Sequence, residues 1–140
     1  MPTSALVLVG GLGTQLRPLT LTQPKALLPL GHMPLLTHLV KQLAKAHVRN
    51  ITLAIAFPTN LLDEYVEQCA KDFGVSIALS REPEPLGTAG PIALARRHGL
   101  LAPNEPFFVL NADVACNFNL LALRDFHLEH GKLGTIAVTA

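Results

Sequence analysis

A chain of 140 residues makes one domain, which can bury roughly 68–70% of the surface exposed when unfolded. Hydrophobic residues at 49% and charged residues at 15% exclude a disordered chain. A formal net charge of +1 excludes a polybasic surface that holds a nucleic-acid backbone by charge, and leaves a single nucleotide open as ligand.

No apolar run approaches the roughly 18 residues of a membrane span, so neither nucleic acid nor membrane is an expected partner. The start is a short apolar stretch without basic flank or cleavage site, and reads as a strand rather than a signal peptide. Ala5 to Val9 is the first strand, ending at Gly10-Gly11. Leu35, Leu36, Leu39, Val40 and Leu43 then form one apolar stripe on a helix of about three turns, with Pro34 suited to the first helical position.

Ile51 to Phe57 reads as a second strand, with Thr59 or Asn60 as the cap of the next helix. That helix carries Leu61, Leu62, Tyr65, Val66, Cys69 and Phe73 on one side and ends at Gly74. Val75 to Leu79 is a third strand, and a helix follows from near Thr88 to His98. Phe107 to Leu110 is continuous enough in apolar character to be buried on both faces. Leu120 to His130 reads as a helix and Thr135 to Thr139 as a last strand. Strands alternating with helices predict an α/β fold, a mostly parallel Rossmann-like sheet with helices on both faces. Ligands in such folds bind beyond the carboxyl ends of the strands. Cys69 and Cys116 form no CxxC pair and read as buried, reduced thiols, in keeping with a cytoplasmic location.

The unusual residues sit at those strand ends. The first strand runs into Gly10-Gly11-Leu12-Gly13-Thr14-Gln15-Leu16-Arg17-Pro18-Leu19-Thr20. Three glycines in four positions let backbone N–H groups approach an anion together; a plain tight turn is the lesser alternative on glycine count alone. The loop lacks the Gly-Lys-Ser/Thr ending of a P-loop, and Pro18 prevents the helix that a dinucleotide fingerprint requires. Lys25 follows Pro24 in an otherwise apolar stretch and reads either as a phosphate contact or as a solvated side chain.

The run from Gly10 to Lys25 resembles the signature loop of the sugar-1-phosphate nucleotidyltransferases, G-G-x-G-T-R-L-x-P-L-T followed four residues later by a lysine. In that family the loop wraps the incoming triphosphate. The resemblance therefore implies GTP contacts at Leu8, Gly10, Gly11, Gly13 and Thr14, and a catalytic, charge-neutralising Lys25. One position departs: Gln15 stands where the family has arginine. Glutamine keeps a donor and loses the charge, and removing such an electrostatic stabiliser costs on the order of 3–4 kcal/mol. Arg17 lies two residues on and is a conceivable substitute.

A second loop, Glu82 to Pro91, follows the third strand. A carboxylate can accept from both the ring N–H and the exocyclic amine of guanine, and glycine at 87 lets backbone approach a flat ring. The segment resembles the E-x-E-P-L-G-T-A-G-P loop of mannose-1-phosphate guanylyltransferases, which implies guanine contacts at Glu82, Gly87 and Thr88. Asp113, just past the fourth strand, reads either as a turn-capping aspartate or as a ligand of Mg²⁺, which takes one or two carboxylates with phosphate and water. Asn111-Ala112-Asp113-Val114 resembles the metal site of the same family, with Asp113 catalytic and metal-holding and Asn111 orienting the nucleotide.

The resemblance implies that residues 1–140 form the nucleotide-binding part of the domain, without the family's sugar-phosphate half and C-terminal β-helix. The implied reaction is transfer of GMP from GTP to mannose 1-phosphate, giving GDP-mannose and pyrophosphate with Mg²⁺. Assembly into a homo-oligomer or with a paralogous subunit goes with it. Two other readings stand beside this one: a catalytically silent subunit that binds the nucleotide, and a non-functional shortened form with exposed apolar surface. Several signals carry no chemistry. His127 and His130 read as solvated on a polar helix face, Asp63-Glu64 suits a helix start, and Arg96-Arg97 reads as a solvated helix end.

Overall fold

The structure is a computed structural model and describes residues 4–10, 13–56 and 60–138. In chain order it contains β1 (Ser4–Leu8), a short antiparallel pair β2 (Pro29–Leu30) and β3 (Met33–Pro34), α1 (Leu35–Lys45), β4 (Asn50–Ile55), α2 (Leu61–Phe73), β5 (Ser76–Arg81), α3 (Gly90–Arg97), β6 (Phe108–Asn111) and α4 (Leu120–His130). The main sheet has the order β5-β4-β1-β6, with all three pairings parallel. The chain thus starts near the middle, winds outward to β5, and crosses back to add β6 on the other side of β1.

Side chains alternate across a strand, and here the alternation divides the core in two. Ala5, Val7, Ile51, Leu53 and Ile55 face one way and pack with Leu36, Leu39, Val40 and Leu43 of α1, Leu62 and Val66 of α2, and Leu120 of α4. Leu6 and Ala54 face the other way, toward Ala95 of α3 and Leu101. Helices therefore cover both faces, as predicted, but the second layer is thin. Leu36, Leu43, Leu53 and Leu62 are fully buried, each contributing roughly 1.5–3 kcal/mol of transfer free energy.

Helix ends follow local chemistry. Gly74 takes a left-handed φ of 61° and ends α2 with its N–H on the Ala70 carbonyl. The Asn119 side chain accepts from the Ala122 N–H at 3.0 Å to start α4, and Gly131 closes that helix.

Several expectations need correction. Pro34 precedes α1 instead of opening it, because it pairs with Pro29 and keeps an extended ψ of 146°. Asn60 occupies the cap position of α2 without a side-chain capping bond, its backbone already helical; Thr59 and Phe57 lie outside the described residues. Leu61 is 53% exposed, so the apolar side of α2 begins at Leu62. β6 is not buried on both faces: it is an edge of the described sheet, and Val109 is 45% exposed. Of the strand expected over Thr135 to Thr139, residues 135–138 form none and Thr139 lies outside the described residues; Ile136 and Val138 are each 85% exposed. Apolar, β-branched character makes a strand only when a ladder partner is in reach, and among the described residues this segment has none. Cys116 is partly exposed rather than buried. His127 and His130 are not simply solvated: His127 Nδ1 and His130 Nε2 lie 2.9 and 2.7 Å from the Thr135 hydroxyl, which ties the segment back to α4.

Candidate active site

Leu8 ends β1 beside Ala54 on one side and Asn111 on the other. The N–H of Val9 donates to the Ala54 carbonyl at 3.0 Å and that of Ala112 to the Leu8 carbonyl at 3.0 Å, so the ladder reaches the loops that leave the strands. At this edge the strand order changes direction, the usual ligand crevice of such sheets. A cavity of about 550 Å³ opens there, within the range of small-molecule sites.

The first wall is the glycine loop. Gly10 and Gly13 have φ of 34° and 59°. A Cβ on Gly13 would sit 2.8 Å from Thr20 Cγ2 and 3.3 Å from Lys25 Cβ. The Thr20 hydroxyl also donates to the Gly13 carbonyl at 2.7 Å. Only glycine lets the loop fold back this tightly, and the fold-back brings Lys25 against it. Thr14 and Gln15 open a 3-10 turn, Thr14–Leu16, that follows Gly13 directly. The first amides of such a turn have no partner within it and are available to an anion.

The second wall follows β5. The Glu82 N–H donates to the Ile55 carbonyl at 2.8 Å, extending the ladder by one residue. The Glu82 carboxylate accepts from the Leu86 N–H through Oε2 at 2.9 Å. Gly87 turns with φ 72° into open space, and α3 begins three residues later. A Cβ on Gly90 would collide with the Leu86 side chain, so this glycine sets how closely α3 approaches its own loop.

The third wall is the end of β6. Lys25 Nζ donates to Asp113 Oδ2 at 2.8 Å, an ion pair across 88 positions that joins the first and third walls. Both side chains remain partly exposed. One solvent-facing carboxylate beside the glycine loop fits a hard cation that brings its other ligands as phosphate and water. Among the described residues no group of three or more His, Cys, Asp or Glu could hold a metal alone.

Leu8, Gly10, Gly13, Thr14, Lys25, Glu82, Gly87, Thr88, Asn111 and Asp113 all line this one cavity. Gly11 lies outside the described residues. Gln15 lines the cavity too, whereas Arg17 is not among its lining residues. Sequence reasoning missed the Lys25–Asp113 pair and the floor, Ala54 and Ala56 on one face at the end of β4. Small residues two apart at the end of a buried strand were the available signal for the floor. A pairing across 88 residues had no local signal. Asp63, expected only to suit a helix start, also accepts from Arg81 Nη2 at 2.8 Å. Arg96 donates to the Pro103 carbonyl at 2.7 Å, away from the cavity.

The chain resembles known proteins along its whole described length. Over 136 residues, 96% of the chain, it is 52% identical to the mannose-1-phosphate guanylyltransferase catalytic subunit beta of Danio rerio. It is 48% identical over 134 residues to the mannose-1-phosphate guanyltransferase of Saccharomyces cerevisiae. The chain spans 37% of the length of each of these relatives. A crystal structure of a putative glucose-1-phosphate thymidylyltransferase from Bacillus anthracis superposes with a TM-score of 0.78 at 21% identity, covering 90% of this chain and 50% of that one. A UDP-glucose pyrophosphorylase complexed with UDP-glucose gives a TM-score of 0.75 at 21% identity, covering 94% and 55%. At that identity the likeness establishes the fold. The family model of the nucleotidyl transferases matches residues 4–140, and the chain belongs to that family.

Proposed function

We propose that this chain supplies the guanine-nucleotide side of a mannose-1-phosphate guanylyltransferase site, in which GMP passes from GTP to mannose 1-phosphate. The observation that carries this is the convergence of the glycine loop, Lys25, the Glu82–Gly87 turn and Asp113 on one cavity. The relatives that share about half of its residues support the choice of base and sugar. In the reaction an oxygen of mannose 1-phosphate attacks the α-phosphorus of GTP. The bond from that phosphorus to the bridging oxygen breaks, and pyrophosphate leaves with the electron pair. No covalent enzyme intermediate is required, so the chain's task is positioning and charge neutralisation.

In this reading the amides around Gly10, Gly11, Gly13 and Thr14 hold phosphate oxygens, with Leu8 beside the nucleotide. Lys25 turns from Asp113 toward phosphate. Glu82, Gly87 and Thr88 receive guanine, and Asn111 orients the nucleotide near Asp113. Mg²⁺ held by Asp113 and the phosphates would supply further charge neutralisation. Residues 1–140 then form the nucleotide-binding part of the domain. A cytoplasmic location and assembly with a second copy or a paralogous subunit belong to the same reading.

The test is calorimetric titration of the folded chain with GTP and UTP in Mg²⁺, for the unaltered chain and Glu82→Gln. The expected result is GTP binding at least about tenfold tighter than UTP, with the preference reduced in Glu82→Gln by about 1–3 kcal/mol. Equal binding of the two bases sinks the guanine assignment, and no binding of either by folded protein sinks the whole reading.

Gln15 favours a second reading, in which the chain binds nucleotide without turning it over. Formation of GDP-mannose and pyrophosphate from GTP and mannose 1-phosphate excludes this alternative.

A further inference from the structure

The charge of the cavity can be counted. Among the described residues that line it, the charged side chains are Lys25, Glu82 and Asp113. Lys25 is already paired with Asp113 at 2.8 Å. One lysine against two carboxylates leaves the cavity one charge negative before any metal binds. Gln15 also lines the cavity, and its amide carries no positive charge.

Phosphate-bearing ligands differ in what they bring to such a site. A terminal phosphate carries a charge of about −1.5 to −2 at neutral pH. A nucleoside triphosphate ends on such a group and totals about −4, whereas a diphosphate capped at its outer phosphate by a neutral sugar totals about −2. The repulsion from a negative cavity rises with ligand charge and is felt most at low ionic strength.

We infer that the net negative charge of this cavity, which the neutral side chain at position 15 leaves uncompensated, makes it take, without metal, a nucleoside diphosphate capped by a neutral group in preference to a nucleoside triphosphate. The inference rests on the nucleotide-binding reading above and adds which phosphate chain the site prefers. Its origin is the net charge of the lining, one lysine against two carboxylates. A positive group at position 15 restores what the triphosphate lacks and alters the capped diphosphate less.

The experiment is titration with GTP, GDP-mannose and UDP-glucose in EDTA at low salt, using the unaltered chain, Gln15→Arg and Gln15→Met. The unaltered chain is expected to bind GDP-mannose at least about tenfold tighter than GTP. Gln15→Arg is expected to strengthen GTP by about tenfold or more and GDP-mannose by less than about threefold. Gln15→Met, which removes the donor and adds no charge, should keep the preference of the unaltered chain. GTP binding as tight as GDP-mannose in the unaltered chain, or equal strengthening of both by Gln15→Arg, overturns the inference. The unaltered chain alone decides if Gln15→Arg does not fold. UDP-glucose binding as tightly as GDP-mannose would remove the guanine reading and leave the charge preference to be judged on the other pair. No binding of either guanine ligand by folded protein overturns both together.

Discussion

Two glycines with nearly the same backbone separate local strain from site function. Gly13 has φ 59° and no room for a Cβ, with Thr20 and Lys25 packed against it. Gly74 has φ 61° and open space. An alanine in the left-handed region costs about 1–2 kcal/mol at either place. Gly74→Ala should lose that much stability and keep nucleotide affinity. Gly13→Ala should lose more, because Thr20 must also move, and should weaken nucleotide binding by moving Lys25. Denaturant midpoints and titrations of the two variants measure this; equal nucleotide affinity would separate Gly13 from the site. The need for glycine here was legible in the sequence as a dense cluster after a strand. Which neighbour excludes the Cβ was not, because Thr20 and Lys25 reach Gly13 only after the loop has folded back.

Among the elements, α1 and α2 show how far periodicity goes. The stripe Leu36, Leu39, Val40 and Leu43 is buried as its spacing demands. Leu43→Ala should cost about 2–5 kcal/mol through its cavity, whereas Leu61→Ala, at an exposed position of α2, should stay within about 0.5 kcal/mol. Urea denaturation decides this, and a large loss at Leu61 would contradict a buried arc that begins at Leu62. Periodicity failed at the margins. Leu61 has the right residue type one step outside the buried arc. The run 132–138 has β-type residues, but Thr135 is held by two histidines of α4 and, among the described residues, no strand edge is paired with it. A hydrophobic pattern records which side chains avoid water, not which neighbour arrives.

The whole molecule carries a partly buried hydroxyl pair between α1 and α2. The Tyr65 hydroxyl lies 3.0 Å from the Thr37 hydroxyl, linking α2 to α1. Burial pushes the Tyr65 phenol up and the Cys69 thiol up as well. The folded state therefore holds these protons more tightly than the unfolded chain. The stability they contribute is complete below the unfolded-state values, about 8.5 for a thiol and about 10 for a phenol, and declines as pH rises through and above them. Unfolding midpoints measured from neutral to strongly alkaline pH should fall above about pH 8.5. A midpoint that stays level, or a Cys69→Ala variant that loses stability to alkali as steeply as the unaltered chain below pH 10, would contradict the assignment to Cys69.

The sequence by itself determined the alternation of strands and helices, the placement of glycines, acid and lysine at strand ends, and the family likeness of both loops. These are properties of short segments, set by side-chain period, backbone permissiveness and local spacing. Tertiary structure alone decided that Lys25 and Asp113 meet, that Gln15 rather than Arg17 lines the cavity, that β6 is an edge of the described sheet, and that, among the described residues, 132–138 join no strand. Each of these depends on which distant segments come into contact, and a parallel sheet makes those contacts through crossovers whose outcome no local window contains.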